Sequence, residues 1–264
     1  MTQFSANLGF LWADRPLPLA IHAAKAAGFD AVECHWPYDT PASEVKSALE
    51  ETGLQMLGLN TRRGDVDAGD NGLAAIPGRE DEARATIDEA IEYAVQISAS
   101  SIHVMAGFAE SAEACNTFIE NLVYACNQAE RHGLTILIEP LNEHDAPGYF
   151  LQTTKQATEI IADVGSANLK LMFDCYHVGR TEGEVMARLK ALLPIIGHIQ
   201  FASVPDRARP CPTVAHRGTP DHGEVDYQQV FSQINALDWG TPLGAEYKPE
   251  GETDVSLDWM SMLT

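Results

Sequence analysis

Basic residues are scarce in this sequence: Lys and Arg total 17 against 38 Asp and Glu, a formal charge of −21 at neutral pH. A chain that wraps a phosphate polymer needs a positive stripe to displace condensed counterions. The densest basic stretch holds only Arg207, Arg209 and Arg217, interrupted by prolines, which sets nucleic acid aside as a partner. Cysteine is sparse too. Cys34, Cys115, Cys126, Cys175 and Cys211 are odd in number, scattered and without a C-x-x-C pair, so neither a disulfide framework nor a structural zinc site is expected, and reduced thiols in a reducing compartment are. No apolar run approaches the roughly 18 residues of a membrane span, and the opening MTQFSANLGFLWADRP lacks the basic-then-apolar pattern of a secretory leader. The expectation is a cytoplasmic protein with no membrane partner. A glycine-rich phosphate turn is also missing after the first apolar run, residues 3–10, which argues against a doubly wound dinucleotide-binding sheet.

What is present is alternation. Short apolar runs bounded by Gly, Pro or Asp alternate with longer segments of helical period, the pattern of a parallel sheet covered by helices. Strands are predicted at 3–10, 29–34, 54–60, 100–106, 134–139, 169–174, 197–202 and 242–247. Helices are predicted at 17–27, 42–52, 79–98, 111–132, 153–163, 182–192, 226–237 and 254–263. Gly28, Gly53 and Gly133 fall where helix ends need a left-handed residue, and Thr153 with Gln156 reads as a helix start. The chain has 264 residues, near the roughly 250 of one eight-fold barrel. The expected fold class is therefore α/β, one (β/α)8 TIM barrel occupying residues 1–264 as a single domain.

Closing such a barrel brings the carboxyl ends of all its strands around one axis. Glu139 ends LTILIE, Asp174 ends LKLMFD, Gln200 lies in GHIQFA and Glu246 in PLGAEY; each interrupts or terminates an apolar run. One acid at a strand end is commonly an ion-pair partner or a helix cap, but several converging carboxylates repel unless a cation lies between them. Three carboxylates and an amide oxygen form a hard donor set suited to Mg2+, with Mn2+ as the alternative. His103, inside SSIHVMA, and His177, three residues after Asp174, can also face the mouth.

The stretches IEPLNEHDAPGYFL (138–151), FDCYHVG (173–179), HIQFASVPDRARP (198–210), HGEVDY (222–227) and AEYKP (245–249), with NTRRGD, GLAAIPGRE and HVMAG earlier, resemble the hydroxypyruvate isomerase family of xylose-isomerase-like barrels. The resemblance implies that Glu139, Asp174, Gln200 and Glu246 ligate a divalent metal, and that Glu139 and Glu246 also transfer protons. The implied reaction moves a carbonyl by one carbon, hydroxypyruvate to tartronate semialdehyde, through an enediolate. The close alternative is a 2-oxo-tetronate isomerase; further ones are a ketose 3-epimerase on the same scaffold and a non-catalytic sugar-acid binder. An acid substrate on so anionic a chain needs local donors, for which Arg207, Lys248, His177 and His103 are the candidates. Residues 211–220, CPTVAHRGTP, are about ten more than the family pattern leads one to expect, read as a surface excursion or, alternatively, a lid or subunit contact. The exposed helices leave a homodimer open.

Overall fold

The computed structural model describes residues 2–210 and 225–263. The extra segment 211–220, and with it Cys211, Arg217 and the opening of HGEVDY, lies outside the described residues.

Nine short strands carry the architecture: β1 (Phe4–Asn7), β2 (Ala31–Glu33), β3 (Gln55–Met56), β4 (Gly58–Asn60), β5 (Ser101–His103), β6 (Thr135–Ile138), β7 (Leu169–Asp174), β8 (Ile196–Phe201) and β9 (Leu243–Ala245). All pair in parallel, in the order β3-β2-β1-β9-β8-β7-β6-β5-β4. The sheet begins and ends on two halves of one predicted strand, 54–60, which break apart at Leu57. The Leu57 amide donates to Val32 O at 2.7 Å, and the amides of Cys34 and Asn60 donate to Gly58 O and His35 O at 3.1 and 2.8 Å. The sheet thus curls into a nearly closed barrel, the predicted (β/α)8 cylinder with its third strand split.

The strand residues are apolar on both faces because one face fills the barrel and the other receives helices. Those helices are α1 (Leu17–Ala26), α2 (Ala42–Thr52), α3 (Glu80–Ile97), α4 (Ala114–Glu130), α5 (Thr154–Val164), α6 (Cys175–Thr181), α7 (Val185–Leu192), α8 (Tyr227–Ala236) and α9 (Trp259–Met262). The predicted caps form where expected. Gly53 closes α2 at φ 67°, and Thr153 Oγ1 accepts from Gln156 N at 3.1 Å to open α5. The Gln156 side chain instead accepts from Gln152 N, at 3.1 Å, so the helix start is tied one residue further out than a capping box would tie it.

Two helices depart from the sequence reading. The segment predicted as 182–192 holds α7, and ahead of it an unpredicted helix, α6, starts directly at the end of β7. Asp174 is its N-cap, its Oδ1 accepting from Tyr176 N at 2.8 Å, so strand and helix join without a loop. The last predicted helix, 254–263, is a 3-10 turn (Thr253–Ser256) followed by the single turn of α9. Packing explains the break: Trp259 is fully buried and stacks edge-on to Phe4 and Phe201, centroids 4.9 and 5.4 Å away. Among the described residues no helix is long and apolar enough to cross a membrane, and Cys34, Cys115, Cys126 and Cys175 are free thiols.

Candidate active site

Parallel pairing puts the last residue of every strand at the same mouth. Asn7 is in register with Glu33, Asn60 with His103 and Asp174 with Gln200; Glu139 and Glu246 follow β6 and β9 directly. All these side chains are buried except that of Asn60, which is partly exposed. They line or flank a cavity of about 190 Å³ whose wall includes Phe10, His35, Trp36, Met105, Glu139 and Glu246. At roughly 30 Å³ per water the space suits a very small ligand.

Glu139, Asp174 and His177 each bring a potential ligand atom within 4.8 Å of the others. Three buried oxygens at the mouth lack any hydrogen-bond partner: Glu139 Oε1, Asp174 Oδ2 and Gln200 Oε1. Unsatisfied buried acceptors are costly, and three on residues at adjoining strand ends form the environment a cation relieves. An oxygen-rich donor set of this kind fits a hard divalent ion.

Glu246 is placed differently. Its Oε1 accepts from Asn7 Nδ2 at 3.1 Å and meets His35 Nε2 at 2.9 Å, while Oε2 is paired with Arg207 Nη2. Arg207 adopts φ 55° and its guanidinium lies between the rings of Phe10 and Tyr176, 5.0 and 4.9 Å from their centres. It also stands 3.6 Å from Asp174 Oδ2. These neighbours push the glutamates apart. Burial, then the charges of Glu246 and Asp174, holds the Glu139 carboxyl well above the usual range. Burial would raise Glu246 as well, but the Arg207 guanidinium and the His35 contact outweigh it and keep that carboxylate ionised. Burial pushes Asp174 up to about 7, with Arg207 opposing.

The predicted histidines are both buried and neutral. Burial lowers His103 to about 4, and burial with the Arg207 charge lowers His177 to about 3. His103 Nδ1 is 3.6 Å from Glu139 Oε2. His177 Nδ1 receives the Asn142 amide N–H at 2.9 Å and faces the Asn142 side-chain nitrogen at 2.7 Å. A nitrogen that accepts carries no proton, but Arg207 Nη1, which can only donate, lies 3.2 Å from Nε2, so the two contacts assign the ring proton to opposite nitrogens. Nε2 is the atom that faces the cluster, 3.7 Å from Asp174 Oδ2. Lys248 is exposed, its Nζ 5.6 Å from the centre of the Phe10 ring, and it does not line the cavity.

A sequence-family model described as xylose isomerase-like TIM barrel matches residues 21–263. The chain belongs to that family. Two family relatives align with 98% of this chain and 98% of their own length: a 2-oxo-tetronate isomerase of Cupriavidus necator, 41% identical, and the hydroxypyruvate isomerase of Escherichia coli, 38% identical. A crystal structure from Brucella melitensis described as an AP endonuclease, family 2, superposes with TM-score 0.90 at 34% identity, covering 99% of this chain and 98% of that one.

Several residues of this family member's mouth escape sequence reading. Glu33 ends AVE as Glu139 ends ILIE, the same signal of an apolar run closed by an acid, and His198 and Gln200 stand two apart on one strand face. His35, Asn142 and Asp145 lie in loops, where no period marks them. Asn142 Nδ2 donates to Asp145 Oδ2 at 3.1 Å and Tyr176 Oη donates to the same oxygen at 2.7 Å, tying the loop after β6 to α6.

Proposed function

We propose that this chain is a metal-dependent isomerase of a small sugar acid, converting hydroxypyruvate to tartronate semialdehyde by proton transfer between neighbouring carbons. The observation that carries the reading is the set of three buried oxygens without a hydrogen bond, on Glu139, Asp174 and Gln200, beside a cavity that also holds Glu246. Glu139, Asp174, Gln200 and Glu246 are the residues that would hold a divalent ion, Mg2+ by preference, Mn2+ as substitute. Bound there, the ion supplies Lewis-acid stabilisation of negative charge on substrate oxygens.

The chain's own residues do the rest. Glu139 and Glu246, both on the cavity wall, act as the proton-transferring pair, one removing a proton beside the carbonyl and the other returning one to the adjacent carbon through an enediolate. Arg207, whose Nη1 lies 3.2 Å from His177 Nε2, receives one anionic oxygen of the substrate, with the His177 ring beside it. Phe10 and Tyr176 hold the Arg207 plane, so the donor is set before the substrate arrives. His103, neutral and beside Glu139, donates or accepts a further hydrogen bond. Lys248 acts from the rim, through long-range attraction of the acid rather than contact.

The second substrate reading is a four-carbon 2-oxo-tetronate, favoured by the 41% identity to the Cupriavidus necator isomerase. The two acids differ by one carbon, which a pocket separates by about 1–3 kcal/mol. Phosphodiester cleavage, suggested by the description of the Brucella melitensis structure, has against it the charge of −21 and a mouth built of carboxylates. The test is turnover of hydroxypyruvate, 2-oxo-tetronates, tagatose and fructose with Mg2+, Mn2+ and chelator. The expected result is isomerisation of the acids alone, lost with chelator and restored by metal. Turnover of neutral ketoses alone, or chelator-insensitive turnover, overturns the reading.

A further inference from the structure

Beneath the partnerless oxygens lies a second layer whose members all converge on Glu33. Glu33 Oε1 accepts from Gln200 Nε2 at 2.7 Å and from Asn7 Nδ2 at 3.0 Å, and Oε2 meets His198 Nε2 at 2.6 Å. Glu33, Gln200, His198 and Asn7 are each at least nine-tenths buried. The fit is close. A Cβ placed on Gly244 would come within 2.7 Å of both Glu33 oxygens and 2.8 Å of Gln200 Cγ, so glycine at this point of β9 is what leaves room for the pair.

A carboxylate accepts and does not donate, so the end of the Gln200 amide that faces Glu33 must be its NH2. The other end, Oε1, is thereby fixed toward the opposite side, and that oxygen is one of the three buried acceptors without a partner. A free primary amide could turn either end to a cation; this one cannot. The same contact bears on why residue 200 is neutral, since a glutamate there would set a second carboxylate against Glu33 within hydrogen-bond reach, a strongly repulsive pair in a buried site. His198 balances the Glu33 charge from the other side, and the carboxylate raises the histidine against the effect of burial.

We infer that Glu33 is a positioning residue for the metal centre: it locks the Gln200 amide with its oxygen toward the ion and makes an amide, rather than a carboxylate, the donor at position 200. The inference rests on the proposed metal reading and deepens it. Glu33 differs from Glu139, Asp174 and Gln200 in having both its oxygens hydrogen-bonded, and it does not line the cavity.

A double-mutant cycle in Mn2+ affinity tests it, read by calorimetry and by electron paramagnetic resonance of free Mn2+ on the chelator-stripped protein. Loss of such an outer contact weakens metal binding by about 10–100-fold. Glu33→Ala should show that loss in the wild-type background and less than about two-fold further loss when combined with Gln200→Ala, since the amide it orients is gone. Glu33→Asp, which keeps the charge but shortens its reach toward Gln200, should fall between and serves where Glu33→Ala does not fold. Equal weakening in both backgrounds would show a general structural effect and overturn the inference, as would unchanged affinity in a folded Glu33 variant. If the wild-type protein takes up no Mn2+, or keeps its affinity in Asp174→Asn, the metal reading itself falls and the inference with it.

Discussion

Glu139 and Glu246 face one cavity from opposite electrostatic surroundings. The first sits among like charges with an unpartnered oxygen, the second is clamped by Arg207, His35 and Asn7. A proton-transferring pair needs such inequality, since one member must hold a proton while the other lacks one. Positioned acid–base groups contribute about 10²–10⁴ in rate, so Glu139→Gln and Glu246→Gln should each lose that factor in kcat with the fold intact by circular dichroism. Substrate exchange in D2O separates them: the variant lacking the acid still exchanges the carbon-bound proton without isomerising, the variant lacking the base does neither. Both variants turning over at wild-type rate would remove the pair from the mechanism. Arg207→Lys should raise KM about ten-fold or more, because an ammonium cannot pair with Glu246 and meet the substrate from one plane; an unchanged KM would show that Arg207 serves only to hold Glu246.

At the scale of elements, the strand ends were legible because polar residues there interrupt apolar runs. LTILIE, LKLMFD and GHIQFA mark Glu139, Asp174 and Gln200 without any knowledge of contacts. Glu33 carries the same mark in AVE, but its role depends on facing Gln200 across the barrel, a pairing between residues 167 positions apart that one-dimensional patterning does not encode. The helix α6 was hidden for another reason: at 7 residues it is too short to display an amphipathic period, and its N-cap is the same Asp174 that ends the strand. That double use has a consequence. Asp174→Asn should keep the helix start, since an amide oxygen also caps, and lose metal affinity. Thr153, by contrast, caps α5 away from the cavity; Thr153→Ala should cost about 1 kcal/mol and lower Tm by about 2–4 °C with kcat unchanged. A Tm unaltered within error would show that the cap seen at 3.1 Å carries no weight.

The whole molecule is acidic, and its mouth concentrates part of that charge where water is excluded. Folding therefore carries a pH-dependent load. Asp174 rises from 3.8 unfolded to about 7 folded, so between those values the folded state binds more protons and this group's contribution to stability falls as pH rises. His103 and His177, held near 4 and 3, act in the opposite sense: their contribution falls as pH drops below about 6.5. The wild-type curve mixes the two, and the difference from Asp174→Asn isolates the first. In metal-free protein the variant should gain Tm on wild type as pH climbs from 5 to 7; a constant difference would contradict the burial of that charge. The polar strand ends of the barrel meet at one mouth, and the strand spacing that brings them there was the part most visible in the sequence. What stayed invisible, the loop residues His35, Asn142 and Asp145, is placed in large part by partners far along the chain, Glu246 for His35, His177 for Asn142 and Tyr176 for Asp145.

The central claim is that Glu139, Asp174 and Gln200 share one divalent ion. It is met most directly by titrating Mn2+ into chelator-stripped protein at pH 6 in buffers of different ionisation enthalpy. The account predicts one ion per chain, protons released on binding as Asp174 and Glu139 ionise, and loss of the site in both Asp174→Asn and Glu139→Gln. Saturable binding that ignores both substitutions, or no binding at all, would contradict it.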